Sequence, residues 1–299
     1  MADGCSIREA IESDLPHVIK WWEEYFNVAH EIEMFKIVMK YGKGGGAFTA
    51  VLPSGEPVGF VTCAVIGDMA SANHLIVRGD MRGTRIESML YKRADEHVGH
   101  LNVAINSAMH LIEFYKKNKF TTESFTITDR YYTVDHAKIA ASLKLGDEAN
   151  IMVKPYSEEM LQAVLGYDRT IAGNDRGDYL RPCLQAYKKL MFVATDAESK
   201  VAGYVIAVNM TGRVSHGICP LYGDTEQVQC QLMRQVLMAL PDGSEICIYT
   251  PDDNIPATMM VEALGARTKL ITKRLYTKHE VKLPLDKVAS TLDWGAFII

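Results

Sequence analysis

The feature that most constrains the fold is an internal repeat. The stretch that begins at Phe48, FTAVLPSGEPVGFVTCAV, resembles the stretch that begins at Phe192, FVATDAESKVAGYVIAVN, at an offset of 144 positions. The same offset aligns further residues: Ala50 with Ala194, Gly59 with Gly203, Phe60 with Tyr204, Val61 with Val205, Ile7 with Ile151, and Gly79–Asp80 with Gly223–Asp224. Because this period is too long for a solenoid, the sequence predicts two copies of one unit, with the junction near residues 141–150.

Each copy alternates strand-like and helix-like patterns. The first copy shows a strand, two helices, a hairpin, a third strand, an amphipathic helix, a strand, a helix and a final strand pair within residues 120–134. The second copy repeats this order, and the tail, residues 283–299, is expected to pack on the outside. The order predicts an α/β fold with two domains, 1–140 and 148–299, each with a central mixed sheet flanked by helices.

Charge and cysteine usage exclude several classes of protein. The formal net charge is -5 and no long basic run occurs, so neither nucleic acid nor an anionic membrane is an expected partner. The N-terminal sequence lacks the apolar core of a secretory signal, and no stretch approaches the roughly 20 apolar residues of a membrane helix. The cysteines are scattered and never form CxxC, which favours a cytoplasmic protein without a structural zinc site: Cys5, Cys63, Cys183, Cys219, Cys230 and Cys247.

One strand–loop–helix turn in the first copy has the form of a phosphate site. VRGDMRGTRIESML runs from Val77 to Leu90, after an apolar strand and into a stretch with apolar residues at helical spacing. In such a turn, the loop amides and the positive helix N-terminus converge on one point, where they hold phosphate. Glycine lets the phosphate approach the backbone closely.

This turn, in this order of elements, resembles the GCN5-related N-acetyltransferase (GNAT) superfamily. The family pattern V-x-P-x-x-R-G-x-G-I-G reads V-R-G-D-M-R-G-T-R-I-E here, so that Val77, Arg82, Gly83 and Ile86 match. The family motif L-Y-x-x-x-G-F resembles FYKKNKF, which ends at Phe120. VEALGA and ICPLYGD in the second copy are similar to the divergent C-terminal domain of tandem GNAT proteins. The resemblance implies two GNAT-like domains, the first with a candidate acyl-CoA site.

The resemblance implies acetyl-CoA as co-substrate, with its pyrophosphate at the first turn. The implied cofactor-binding residues are Val77, Arg78, Arg82, Gly83, Thr84, Arg85, Ile86 and Glu87. Arg85 and Glu87 stand where the family has its later glycines. Arg85 would pair with phosphate or fill the pocket, and Glu87 would repel phosphate unless it turns away. The equivalent LYGDTEQVQ loop lacks a basic residue, which favours a helix start capped by Asp224 or Thr225 over a phosphate site.

The resemblance also implies catalytic groups. A backbone N–H near Val77 would hold the thioester oxygen. Tyr115, five residues before Phe120, would protonate the leaving thiolate, whereas the second copy has Val261 there. His74 is the candidate base, because histidine titrates near neutrality. Each also has a structural interpretation, Tyr115 as a helix tyrosine with a buried ring and His74 as a packed strand residue. The alternative acceptor-site groups are His30, Glu31, Trp21 and Trp22, of which at least one tryptophan is expected in the core.

Two functions remain open at this point. The first is an acyl-CoA-dependent N-acyltransferase, an N-acetyltransferase by resemblance, that acts on a small-molecule amine as a monomer or homodimer. The second is a non-catalytic GNAT scaffold that binds a ligand or a protein. No metal is expected, because His97 and His100 lack a third ligand and end a helix. Gly42–Gly46, GKGGG, is no P-loop since no helix pattern follows it.

Overall fold

The computed structural model describes residues 4–26, 32–41, 46–144, 151–212 and 214–292. The first copy forms β1 (Ser6–Glu9), α1 (Leu15–Phe26), α2 (Ile32–Tyr41), β2 (Ala47–Val51), β3 (Pro57–Ile66), β4 (Met69–Val77), α3 (Ile86–Val98), β5 (Asn102–Ala108), α4 (Ile112–Lys117), β6 (Thr122–Thr133) and α5 (His136–Ser142). The second forms β7 (Met152–Pro155), α6 (Leu161–Ala172), α7 (Gly177–Tyr187), β8 (Met191–Thr195), β9 (Val201–Asn209), β10 (His216–Gly223), α8 (Glu226–Ala239), β11 (Glu245–Pro251), α9 (Ile255–Ala263), β12 (Arg267–Tyr276) and β13 (Val288–Ser290).

The β2–β3 hairpin and the β8–β9 hairpin have the same register at the offset found in the sequence. The matching pairs are Phe48–Val61 with Phe192–Val205, Thr49–Phe60 with Val193–Tyr204, and Ala50–Gly59 with Ala194–Gly203. Both hairpins are irregular after the alanine of the last pair. The repeat is therefore a repeat of backbone structure.

The two copies exchange their last strands within one mixed sheet. The strand order is β1-β2-β3-β4-β5-β12-β6-β11-β10-β9-β8-β7, with β13 on β10. β12 of the second copy lies between β5 and β6, and β6 of the first copy pairs with β11. The pairs β4–β5 and β10–β11 are parallel and the other pairs are antiparallel. The predicted α/β fold with a mixed sheet is confirmed.

The strand pair predicted within residues 120–134 is wrong. Thr122–Thr133 is one strand, β6, and its partners are β11 and β12. The segment contains no glycine, proline or asparagine that would form a tight turn, and it is rich in β-branched and aromatic residues. Its partners come from the other copy, so that no hairpin is needed to cover its edges.

Repeat glycines explain how a helix packs on each half of the sheet. α3 covers β3 through Ile86 and Leu90, which are fully buried. A Cβ at Gly59 would lie 2.8 Å from Leu90 Cδ1 on α3, and a Cβ at Gly203 would lie 2.9 Å from Val228 Cγ1 on α8. A Cβ at either position would require the helix side chain to shift, so that glycine lets the helix approach the sheet closely. The glycine at this point of the repeat therefore positions α3, the helix that follows the candidate phosphate turn.

The part of the tail that the structure describes, residues 283–292, does not simply pack on the outside, contrary to expectation. Val288–Ser290 forms β13, which is buried and pairs with β10 at Leu221 and Tyr222. The parallel pairing of β10 with β11 ends at Ile218 and Ile248, beyond which each strand needs another hydrogen-bonding partner. The small and apolar VAS segment supplies it.

Two further findings concern the chain as a whole. All six cysteines are free thiols, and five of them are buried, in line with their predicted role as small core residues. Within the described ranges, no helix has both the length and the apolar character needed to cross a membrane.

Candidate active site

The site lies where β4 and β5 separate. The two strands pair from Met69–Asn102 to Ser71–Ala104. β4 then has a bulge: Asn73 faces Thr62 and Ile76 faces Phe60, so that His74 and Leu75 together oppose one residue of β3. His74 has a φ of 54°, a left-handed conformation that is uncommon for residues other than glycine. Such strained backbone concentrates at functional sites.

A chamber of about 390 Å³ opens at this separation. Trp22 and His74 line it from the first copy. Asp129 lies on exchanged strand β6, and Tyr249 and Thr272 belong to the second copy. The chamber is therefore built by both copies, and the strand exchange brings their side chains together.

A second cleft, of about 540 Å³, adjoins the chamber at the start of α3. Leu75 and Tyr91 line both spaces. Arg82, Thr84 and Glu87 line the cleft from the loop and the first helical turn. The predicted phosphate turn thus faces a cleft that leads to the chamber.

The loop geometry leaves several backbone amides at this cleft. Arg78 N–H donates to Val58 on β3. Because successive strand amides point in opposite directions, the amide of Val77 faces away from β3, toward the open side of β4. Thr84 Oγ1 donates to Met81 O and accepts from the Ile86 amide at 3.4 Å. The following first-turn amides have no carbonyl partner within the helix.

Two loop residues have the properties that a phosphate site needs. The guanidinium of Arg82 lies 3.6 Å from the centre of the Tyr25 ring, and its Nε donates to Val77 O at 3.2 Å. These contacts hold the arginine at the mouth of the cleft. Gly83 has a φ of 69°, and no atom lies within 4 Å of the place where its Cβ would be. A ligand could therefore approach its backbone.

The other predicted cofactor-binding residues are ion-paired, buried or exposed before the helix. Arg78 forms ion pairs with Asp80 at 2.6 Å and Glu56 at 2.7 Å, and the hydrogen bond that it donates to Asp80 raises the pKa of its guanidinium. The side chain of Ile86 is fully buried in the core beneath α3. Arg85 is exposed immediately before α3. The roles of these residues stay predictions.

Tyr115 and His74 both line the chamber. Burial, with a smaller contribution from Tyr91, raises the pKa of Tyr115, so that its hydroxyl keeps its proton at neutral pH. The Thr62 hydroxyl contacts both Asn73 O at 3.0 Å and His74 Nδ1 at 2.9 Å. A hydroxyl carries one hydrogen, so that if it donates to the carbonyl it accepts from Nδ1–H. In the neutral ring the lone pair then lies on Nε2.

Of the alternative acceptor-site residues, one tryptophan lies in the core and the other lines the chamber. Trp21 is 3% exposed and packs in the core, as expected for one of the two tryptophans. Trp22 lines the chamber and packs edge-to-face against the His74 ring, with the ring centres 5.7 Å apart. His30 and Glu31 lie outside the described residues.

The sequence did not reveal three residues of the site. Asn106 and Asp129 line the chamber, and Arg274 donates from its Nε to Asn106 Oδ1 at 2.6 Å. Each lies within a strand that reads as ordinary β structure. They meet only because β12 is inserted between β5 and β6, a non-local arrangement with no local signal.

The equivalent cleft of the second copy is filled by the tail. Ser290 Oγ donates to Ile218 O on β10 at 2.6 Å and accepts from the Tyr249 amide on β11 at 2.9 Å. The loop before α8 is capped by Thr225, one of the two predicted caps. Its Asp224 pairs with Lys287 of the tail at 2.9 Å. The tail thus occupies both the strand separation and the loop.

Comparison with known proteins bears on the fold rather than on the site residues. Residues 164–288 match the model of the acetyltransferase (GNAT) domain family. A candidate acetyltransferase from Pyrococcus horikoshii superposes with a TM-score of 0.75 at 16% identity, over 99% of this chain and 96% of that one. The chain has the GNAT fold. The predicted resemblance to the GNAT superfamily is thus confirmed by the family model over residues 164–288, and the likeness in fold extends over nearly the whole chain.

Two other GNAT-fold structures bear on the architecture. A tandem GNAT protein from the clavulanic acid biosynthesis pathway has a TM-score of 0.57 at 13% identity, over 93% of this chain and 100% of that one. Saccharomyces cerevisiae N-myristoyltransferase with bound myristoyl-CoA has a TM-score of 0.65 at 10% identity, over 99% of this chain and 87% of that one. No curated protein sequence matches the chain. The family match falls in the second copy, whereas the open cleft lies in the first.

Proposed function

We propose that this GNAT-fold protein is an acyl-CoA-dependent N-acyltransferase whose reaction takes place between β4 and β5. The observation that carries the proposal is the asymmetry of the two clefts. The first is open, continues from a phosphate-type turn into a chamber, and has a strained bulge at His74. The second is filled by the tail. The domain division at 1–140 and 148–299, the cytoplasmic location and the monomeric or homodimeric state stay predictions.

Acetyl-CoA is the proposed co-substrate. Its pyrophosphate would lie against the first turn of α3, where Arg82 and the loop amides supply positive charge. Glu87 lines the same cleft but is exposed, so that its carboxylate can stay in solvent. The pantetheine would follow the open side of β4, with the thioester at the bulge.

Three groups would carry the reaction. His74 Nε2 takes a proton from the amine, whose nitrogen forms a bond with the thioester carbon. The amide of Val77, on the open side of β4, stabilises the oxyanion. As the C–S bond breaks, the thiolate takes the proton of the Tyr115 hydroxyl. The raised pKa of this tyrosine keeps it protonated until then.

A small-molecule amine fits the acceptor side. The chamber has about 390 Å³, which is the size of a small-ligand site. Asp129 supplies a carboxylate that attracts an ammonium group, and the Trp22 ring offers a flat surface that binds cations or apolar groups. The alternative, a non-catalytic scaffold, is favoured by Glu87 in the cofactor cleft.

The first test is acetyl-CoA binding by calorimetry, together with a thermal shift. At about a hundred times Kd, the ligand should stabilise the fold by roughly 2.7 kcal/mol. Arg82→Ala should abolish this binding, whereas the control Arg267→Ala, an exposed arginine at the start of β12, should not. No binding of millimolar acetyl-CoA to the wild type would reject the enzyme and favour the scaffold.

The second test is turnover with a panel of primary amines. Tyr115→Phe should lower kcat by roughly 10²-fold, within the range for a positioned acid. Tyr132→Phe is the control, because Tyr132 belongs to the core of the second copy. Unchanged turnover of Tyr115→Phe would remove Tyr115 from the mechanism.

A further inference from the structure

Arg274 on β12 is a buried cation with little compensation. Its side chain is 2% exposed, and its Nη1 has no hydrogen-bond partner. Its Nε donates to Asn106 Oδ1 at 2.6 Å, and its guanidinium lies 5.4 Å from the centre of the Phe125 ring. Among the residues that the structure describes, no carboxylate forms an ion pair with it.

Stability alone does not account for this arginine. A guanidinium stays charged in any protein, and its burial without a counter-charge is unfavourable. One hydrogen bond and one distant ring compensate only part of this loss. An apolar side chain of similar volume would stabilise the same position better. A buried and incompletely paired polar group therefore points to a functional constraint.

The effect of Arg274 is to orient Asn106. Because the guanidinium can only donate, it binds the carboxamide oxygen, and the two N–H donors of Nδ2 must point the other way. Asn106 lines the chamber. It lies two residues beyond Ala104, where the pairing of β5 with β4 ends, and so faces the bulge at His74 across the separation.

We propose that Asn106 Nδ2 donates a hydrogen bond to the carbonyl oxygen of the bound thioester, and that Arg274 is its positioning residue. This inference rests on the proposed function. When the amine nitrogen bonds to the carbonyl carbon, the C=O electron pair moves to oxygen, where Asn106 stabilises the charge. The pair returns as the C–S bond breaks and the thiolate takes a proton. The nearby cation polarises the carboxamide and strengthens its N–H donors.

The strand exchange brings the two residues of this pair together from different copies. Asn106 belongs to the first copy and Arg274 to the second, and they face each other in the β5–β12 register. The second copy, whose own cleft is filled by its tail, would thus act on the reaction in the first copy through β12.

The test compares four variants in a steady-state assay of acyl transfer. Asn106→Asp keeps the shape and pairs with Arg274 but removes both N–H donors, and kcat should fall about 100-fold. Arg274→Met should also lower kcat while Tm stays equal or rises, a combination that a merely structural residue would not give. Arg274→Lys should recover part of the loss. Arg130→Met, a buried arginine on β6 that pairs with Asp252, is the control and should leave kcat unchanged.

An infrared measurement separates this inference from the proposed function. The carbonyl band of ¹³C-labelled acetyl-CoA should shift to lower frequency on binding to the wild type, and this shift should shrink in Asn106→Asp and Arg274→Met. Normal kcat and an unchanged carbonyl band in both variants would overturn the inference and leave the proposed function intact. A wild type that neither binds acetyl-CoA nor transfers its acyl group would reject the proposed function, and this inference with it.

Discussion

The repeat glycines allow a quantitative test of how the two halves are packed. Gly59→Ala would bring the new methyl group to 2.8 Å from Leu90 Cδ1 and 3.1 Å from Ile86 Cγ2. These two atoms are methyl groups of side chains, which can shift, and the nearest backbone atom, Ile76 O, would be 3.3 Å away. Gly203→Ala would place it 2.4 Å from the Tyr222 carbonyl oxygen and 2.9 Å from Gly223 Cα. These are backbone atoms, and the strand itself would have to move.

Overpacking in a core reduces stability by about 1–3 kcal/mol. We expect Gly59→Ala near the lower limit and Gly203→Ala at or above the upper one. With an unfolding entropy of about 0.6 kcal/mol/K for 299 residues, a loss of about 3 kcal/mol lowers Tm by about 5 °C. Gly166→Ala is the control. Gly166 is an exposed residue inside α6 with no atom within 4 Å of its Cβ position, and alanine there should stabilise by up to about 1 kcal/mol.

Calorimetric melting of the three variants, with and without acetyl-CoA, gives the result. Gly59→Ala should also weaken acetyl-CoA binding, because α3 carries the phosphate turn and has to lift from β3. Gly203→Ala should melt lowest yet bind acetyl-CoA with the wild-type Kd. A Gly203→Ala variant that melts as high as Gly59→Ala, or that alone loses acetyl-CoA binding, would contradict this account of the packing.

Three shorter predictions concern single hydrogen-bonded groups. Ser290→Ala leaves one buried donor and one buried acceptor unpaired, and should lower Tm by about 3 °C for a loss of about 2 kcal/mol; an unchanged Tm would show that the tail is dispensable there. Thr62→Val removes the partner of His74 Nδ1, and should lower kcat about tenfold or more within the roughly 10²–10⁴ that a base supplies; a wild-type rate would contradict the role of His74. Burial would raise the pKa of Asp14, but hydrogen bonds from Arg8, a backbone amide and a threonine lower it overall. The ionised carboxylate therefore stabilises the folded protein at a pH above its unfolded pKa of about 3.9. This contribution to the free energy of unfolding is lost as the pH falls through the folded pKa. Urea unfolding of Asp14→Asn below pH 5 should therefore show a flatter pH dependence than the wild type, and an equal slope would exclude Asp14 as its source.

The sequence predicted local structure well, because local signals determine it. The pattern TRIESMLYKRADEHVG predicts a helix that ends at Gly99; α3 ends at Val98, and Gly99 follows it with a φ of 57°. The run EICIYTP predicts a strand over Glu245–Pro251, and β11 has these bounds. Hydrophobic periodicity and helix caps depend on neighbours within a few positions, and these are visible in one sequence.

Strand partners and site residues could not be predicted in the same way. β6 alternates side chains equally well beside its own copy or beside β11 and β12, so that its pattern does not specify a partner. The bulge at His74 occurs without the glycine or asparagine that usually marks a positive φ. The sequence alone predicts that Arg274 is an exposed cation on a strand. It is buried because β12 lies between β5 and β6, where Arg274 donates to Asn106.

Strand exchange leads to a last prediction, that neither copy folds alone. Residues 1–144 expressed without the rest would lack β12, the strand between β5 and β6, and residues 151–299 would lack β6, the strand between β11 and β12. Each half would then have a gap inside its sheet, with unpaired backbone on both sides. We expect neither half to show a cooperative melting transition, and co-expression of the two to restore one.

The control for this experiment is the intact chain cleaved within residues 145–150, between β6 and β7, after folding. It should keep the wild-type transition, because every strand pair survives the cut. A cooperative transition in the isolated 1–144 half would show that β5 and β6 can pair directly. The exchange would then be one of two possible arrangements, and the second copy could not be required for the chamber. If only the co-expressed halves melt cooperatively, the duplication has made the two copies mutually dependent. That dependence would explain why a copy whose own cleft is filled still cannot be lost.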